Sequence, residues 1–165
     1  MKRIVVCTLL VSAVLFAATP LPAQSPSTSA IAVLKKFYDW YLRQPNHEFT
    51  AHFAQAKPFF DPTLYTMFLT VLHSEANHRE AIIDFDPFVN AQWDAQSYAF
   101  GTPTMKGPSV NVPVTLNLSG KPNARTHLTA VLRKNAAGKY VIYNFVYDPK
   151  FNLRDFLSKE LKKAA

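Results

Sequence analysis

The densest group of side chains able to move protons in this chain is Asp84, Asp86 and Asp94, interleaved with Asn90 and Gln92. Two carboxylates sharing a pocket can divide acid and base roles, and a neighbouring tyrosine can extend such a pair. A calcium loop would need more closely spaced oxygen ligands and a glycine at its sharp turn, and this stretch has neither. Asp86 is followed by Pro87. An Asp-Pro pair supplies a capping carboxylate and a first helical residue that lacks only an N–H with no helical partner. Capping of a short helix beginning at Pro87 therefore explains Asp86 without chemistry, and Asp84 would end the preceding element.

Other reactive constellations are missing from the sequence. The histidines, at 47, 52, 73, 78 and 127, form no His-Glu-x-x-His pattern. His73 and His78 would point roughly 140° apart on an ideal helix. There is no Gly-x-Ser-x-Gly, and the four glycines (101, 107, 120 and 138) all sit in turn-like contexts. That argues against a nucleophile elbow and against a phosphate-cradling loop. No catalytic residue, metal or cofactor is expected. The alternative is a cofactor-independent enzyme built on Asp84, Asp86 or Asp94 with a tyrosine.

The N-terminus reads as an address. Lys2 and Arg3 precede an uncharged apolar run from Ile4 to Ala17, and Leu21-Pro22-Ala23 offers a cleavage end before Gln24. The run is short for a bilayer span, so residues 1–23 are expected to be a removed signal peptide. The only cysteine, Cys7, lies inside it, near its start rather than where a lipid anchor would follow. A mature chain without cysteine has no disulfide, thiol nucleophile or thiolate metal site. Periplasmic or secreted location in a bacterium is the expectation. Export argues against nucleic acid as a partner, and no membrane span is expected after cleavage.

About 142 residues would remain, enough for one domain burying roughly 70% of its unfolded surface. The formal net charge of +7 becomes +5 without Lys2 and Arg3. No dense basic run precedes the C-terminal lysines, so the surplus reads as solubilising charge. Lys159, Lys162 and Lys163 end the last helix, where cations complement its dipole.

Residues 24–29 are polar and are expected to form a tether, with Ser27, Thr28 or Ser29 capping a first helix. Apolar residues from Ala30 to Leu42 recur at three- and four-residue spacing, and Pro45 should end that helix. A short helix is expected around 48–56. Asp61-Pro62 should open another, with Leu64, Met67, Phe68, Val71 and Leu72 as its stripe, and with Glu75 and Arg79 as an exposed pair. The same cap signal recurs at Asp86-Pro87 and Asp148-Pro149.

Beyond Gln92 the period changes to two. Strands are expected near 97–102, over 110–118, around 127–133 and over 139–147, the last with large residues on both faces. Pro113 cannot donate to a ladder, so its strand should be an edge or carry a bulge there. A helix over 152–163 closes the chain, with Leu153, Phe156, Leu157 and Leu161 inward. Helices followed by an antiparallel meander predict one α+β domain over 30–163, its helices packed on one face of a curved sheet.

Twenty-one of the 22 aromatic residues follow the signal segment, and Phe37, Tyr38, Trp40 and Tyr41 crowd one helix. Most should be core. So many tyrosines also suggest an aromatic concave surface for a small apolar ligand or a protein partner. The candidate binding residues are Tyr38, Trp40, Tyr41, Asp86 and Gln92, and the chain could be a monomer or a homodimer.

Three stretches carry a family likeness: Phe37-Tyr38-Asp39-Trp40-Tyr41-Leu42, Asp84-Phe85-Asp86-Pro87-Phe88-Val89-Asn90-Ala91-Gln92-Trp93, and Tyr140–Tyr147 followed by Asn152-Leu153-Arg154. Together, over about 30–160, they resemble the bacterial exported domain-of-unknown-function family 3828. Here Trp93 precedes Asp94 after Gln92, where that family's pattern has Gln-Asp-Trp. The resemblance implies a cone-like, nuclear-transport-factor-2-like fold, with helices over a bent sheet. It brings no catalytic residues with it. Abundant aromatics without a nucleophile, metal set or cofactor loop instead make an exported, periplasmic, non-enzymatic binding or adaptor module the expected role. An exported immunity or inhibitor protein is a further alternative.

Overall fold

The computed structural model describes residues 25–44, 49–78, 82–120 and 123–163. The expected signal peptide, Pro45 and the Glu75–Arg79 pair lie outside the residues whose side chains are described. Four helices precede and follow a six-stranded antiparallel curved sheet, an α+β arrangement as expected. The first helix, α1 (Pro26–Tyr41), begins earlier than its apolar period suggests. Ser25, not Ser27, Thr28 or Ser29, is the cap: its hydroxyl accepts the Thr28 N–H at 3.2 Å, and Pro26 takes the first helical position. A serine directly before a proline is the stronger start signal. Residues 26–29 are thus helical rather than tether. Ala30, Leu34, Phe37, Tyr38 and Tyr41 form its fully buried face.

Helix α2 (Phe49–Ala56) runs into a 3-10 turn over Lys57–Phe59. Asp61 then caps α3 (Pro62–His78), accepting the Leu64 N–H at 3.2 Å. The other two Asp-Pro pairs start no helix. Asp86 does cap free N–H groups, but Pro87–Asn90 is a single turn that ends where Asn90 takes φ 60°. Asp148-Pro149 makes the turn between two strands, with the Asp148 carboxylate accepting the Lys150 N–H at 2.7 Å. Long-range pairing, not the cap, decides whether such a turn propagates.

The strands are β1 (Ala95–Phe100), β2 (Thr104–Lys106), β3 (Ser109–Leu118), β4 (Arg125–Lys134), β5 (Tyr140–Asp148) and β6 (Phe151–Asn152). Their order is β1-β3-β4-β5-β6, with β2 also on β3. Val110, Val112, Val114 and Leu116 of β3 and Leu128, Ala130 and Leu132 of β4 alternate inward. The closing helix α4 (Leu153–Lys163) buries Leu153 and Leu157, while Phe156 and Leu161 pack half-buried against the core. Among the described residues no helix is long and apolar enough to cross a membrane.

Pro113 overturns one expectation. Its strand is internal, flanked by β4 on one side and by β1 and β2 on the other. The interruption lies in the partner instead. Phe100 pairs with Val114 and Thr104 with Asn111, so residues 101–103 stand opposite only 112 and 113, a bulge on the neighbouring strand. The Pro113 carbonyl accepts the Gly101 N–H at 2.8 Å. In a strand the N and C=O of one residue face the same way. The missing N–H of Pro113 therefore faces the bulge, where the regular ladder is interrupted.

A second bulge explains the two-faced look of β5. Val131 pairs with Asn144 but Leu132 pairs with Ile142, so Tyr143 is the extra residue. The slip lets both Ile142 and Phe145 face the helices, three positions apart, and turns Tyr143 outward. Phe60 bridges Ile142 in parallel, and the Asp61 N–H donates to the Ile142 carbonyl at 2.9 Å. The edge of β5 is thereby covered.

Gly101 is the tightest point of this arrangement: a Cβ there would stand 3.0 Å from the Pro113 Cβ. Gly101→Ala should therefore lower stability by about 1–2 kcal/mol, despite the exposed position, because the ring cannot yield without shifting the bulge. Urea unfolding of the variant beside the parent measures it; an unchanged midpoint would show the bulge to be pliable.

Candidate functional site

The residues picked out by type converge on one loop. Asp86 to Ala91 closes on itself, with the Asp86 N–H donating to the Ala91 carbonyl at 2.8 Å and the Asn90 N–H to the Asp86 carbonyl at 2.7 Å. One carboxylate oxygen of Asp86 accepts the N–H groups of Phe88 at 2.8 Å and Val89 at 3.2 Å. The other accepts the Tyr41 hydroxyl. Tyr38, one turn before Tyr41 on α1, donates to the Phe88 carbonyl at 3.0 Å. Tyr147 on β5 donates to the Pro87 carbonyl at 2.9 Å. Thr126 on β4 donates to the Asn90 carbonyl at 3.1 Å, and the Asn90 amide to the His127 carbonyl at 3.2 Å. Helix, loop and sheet are joined by polar contacts, most of them part-buried at the margin of the apolar interior.

Phe88 is the apolar counterpart of this clasp. It is fully buried, and the rings of Phe37, Tyr41, Phe60, Phe68 and Phe145 stand 5.3–5.6 Å from it, centre to centre. Such pairs contribute about 0.5–1.5 kcal/mol each beyond their burial.

Of the five candidate residues, the fold brings Tyr41 and Asp86 into direct contact and sets Tyr38 beside them. Gln92 is exposed and closes the loop's far end, its amide donating to the Asp84 carbonyl at 3.1 Å. Trp40 faces elsewhere: its indole N–H donates to Gln55 at 3.2 Å and its ring lies against Phe59. Asp84 and Asp94 are exposed. Sequence reasoning missed Tyr147 as a third hydroxyl on the loop, because it sits on a strand some sixty residues away.

Burial shapes the titration of these hydroxyls. Loss of hydration raises Tyr38, Tyr41 and Tyr147 well above the ordinary tyrosine range, and the Asp86 carboxylate adds to it. Tyr98 on β1 is pushed up to about 12, first by burial and then by its hydrogen bond to Asp39. Asp39 in turn is held below the usual carboxylate range by Lys35 and Tyr98.

A separate cluster pins α4. Arg154 pairs with Asp61, donates to the Tyr143 carbonyl at 3.1 Å, and stacks 4.0 Å from the Tyr143 ring centre. Arg133 stacks 3.6 Å from the same centre. Two guanidiniums that close require one on each face. The bulged-out Tyr143 is thus held as a plate between strand and helix.

An open, largely apolar cleft lies at the other end of α1. It has a volume of about 470 Å³ and runs between α1, the 3-10 turn and the β4–β5 hairpin. Its floor is Val33, Phe59, Tyr140 and Val141, and Lys36, Lys134 and Lys139 stand exposed at its margin. None of its lining residues is acidic. Among the described residues no group of three or more His, Cys, Asp or Glu side chains could hold a metal ion. Comparison with family models, curated proteins and solved structures finds no match to this chain.

The buried tyrosines make stability fall in alkali. Their folded pKa lies above the unfolded value, so the unfolded chain binds fewer protons above about pH 10 and the slope of stability with pH is negative. Each of Tyr38, Tyr41 and Tyr147 removes about 1.4 kcal/mol per pH unit in that range. Below about pH 10 they have no such effect. Denaturant midpoints between pH 9 and 11.5, read with tyrosinate absorbance, should show these tyrosines ionising only as the protein unfolds. Ionisation of all tyrosines in the folded state would contradict the burial.

Proposed function

We propose that the protein is an exported, periplasmic binding or adaptor module of cone-like, nuclear-transport-factor-2-like build, akin to domain-of-unknown-function family 3828. The observation that carries the binding reading is the open cleft beside α1, an apolar floor with a charged margin of a size typical of ligand sites. A cofactor-independent enzyme is less well supported. Asp86 already accepts Tyr41 and two backbone N–H groups, which suits a carboxylate that holds a loop rather than one that passes protons.

In this reading Tyr38, Tyr41, Asp86 and Gln92 act by fixing the scaffold, and Trp40 acts through Phe59, which it braces at the cleft wall. Osmotic-shock extraction followed by native mass spectrometry tests it. The chain should appear in the periplasmic fraction, starting near Gln24 and carrying a bound molecule that Val33→Asp abolishes. A cytoplasmic chain starting at Met1, or a bound molecule indifferent to Val33→Asp, would contradict it.

A further inference from the structure

The cleft's chemistry is more specific than that of a generic apolar groove. Its floor joins a flank of α1 to the start of β5: Tyr140 and Val141 are buried, and Val33 and Phe59 half-buried. Lys36 reaches it from the helix, and Lys134 and Lys139 from the two sides of the hairpin turn. The Lys134 ammonium stands 5.6 Å from the Tyr140 ring centre, so one cation already leans over the floor. The nearest ion pair on α1, Lys35 with Asp39 at 2.6 Å, leaves Lys36 out. Three exposed ammoniums around a greasy trough, with no carboxylate lining it, form a field with one unsatisfied sign.

We propose that the cleft binds a single-chain amphiphile with a carboxylate head, a fatty acid, with its hydrocarbon tail along Val33, Phe59, Tyr140 and Val141 and its carboxylate among Lys36, Lys134 and Lys139. This rests on the binding-module reading above and names its ligand class. Lysines act as compact point charges that suit a monoanion, whereas bidentate recognition of phosphate favours arginine, and no arginine lines the cleft. The occupant is one molecule in a concavity, not a bilayer surface, because the apolar residues lie at the floor and the lysines at the lip. Trough and charge together explain why an exposed margin would carry three lysines and no acid.

Isotope-edited NMR titration of the protein tests this with five probes: octanoate and dodecanoate below their micelle concentrations, dodecyl maltoside likewise, acetate, and vesicles of anionic phospholipid. Dodecanoate should shift the amide signals of Val33, Lys36, Tyr140 and Val141. Affinity should rise by about fourfold per added methylene between octanoate and dodecanoate. Lys36→Gln, Lys134→Gln and Lys139→Gln should each weaken dodecanoate by about two- to fivefold, with an unchanged thermal midpoint, and added salt should do the same. Acetate should leave the cleft unperturbed.

If dodecyl maltoside binds as tightly as dodecanoate, the headgroup assignment is overturned while the cleft remains a binding site. Vesicle binding without dodecanoate binding overturns it in favour of a membrane surface. If no probe perturbs the cleft, the ligand class and the location of the binding site both fail.

Discussion

Asp86 accepts the hydroxyl of Tyr41 with one oxygen and the backbone of Phe88 and Val89 with the other, and this bridge holds Phe88 at the centre of the interior. Even a half-buried carboxylate such as Asp86 costs stability unless its oxygens are engaged. Here one oxygen orders a loop and the other ties that loop to the first helix. Tyr38 and Tyr147 donate to the neighbouring carbonyls of Phe88 and Pro87, so three tyrosine hydroxyls from two elements converge on the three consecutive residues 86–88. The aromatic rings then pack around a fixed Phe88, not around a freely adjustable one. That anchoring ties the first helix and the sheet to the same loop.

Two of the sheet's one-residue slips lie beside side chains that need them. Opposite Pro113 the neighbouring strand bulges, so the missing donor faces an interruption of the ladder. In β5 the extra residue Tyr143 turns outward, between Arg133 and Arg154, and lets Ile142 and Phe145 both face inward. Arg154 also pairs with Asp61, the cap of α3, so the last helix, the third helix and the bulge share one polar junction. Removing a bulge would push one of these large side chains to the wrong face.

Much of this was legible in the residue pattern. The change from helical to alternating period near Gln92, the inward faces of β3 and β4 and the Asp61 cap are local signals, and the fold keeps them. What was not legible depends on partners distant in the chain. Asp86-Pro87 and Asp148-Pro149 carry the same cap signal as Asp61-Pro62. One is stopped by the closure of Asp86 on Ala91, and the other by the return of β6 onto β5. Pro113 obeys the rule that it cannot donate, yet the strand beside it makes the adjustment. Tyr41 and Asp86 were visible as types, but no spacing rule joins residues forty-five apart. The cleft lysines lie on α1 and on both sides of a hairpin turn, and no periodicity links them.

The most direct measurement is a double-mutant cycle of unfolding free energies on Tyr41→Phe, Asp86→Asn and the pair. A clasp on which the interior depends predicts a coupling of about 1–3 kcal/mol between the two positions. Strict additivity would contradict it, because it would mean that the hydroxyl and the carboxylate stabilise the fold independently of each other.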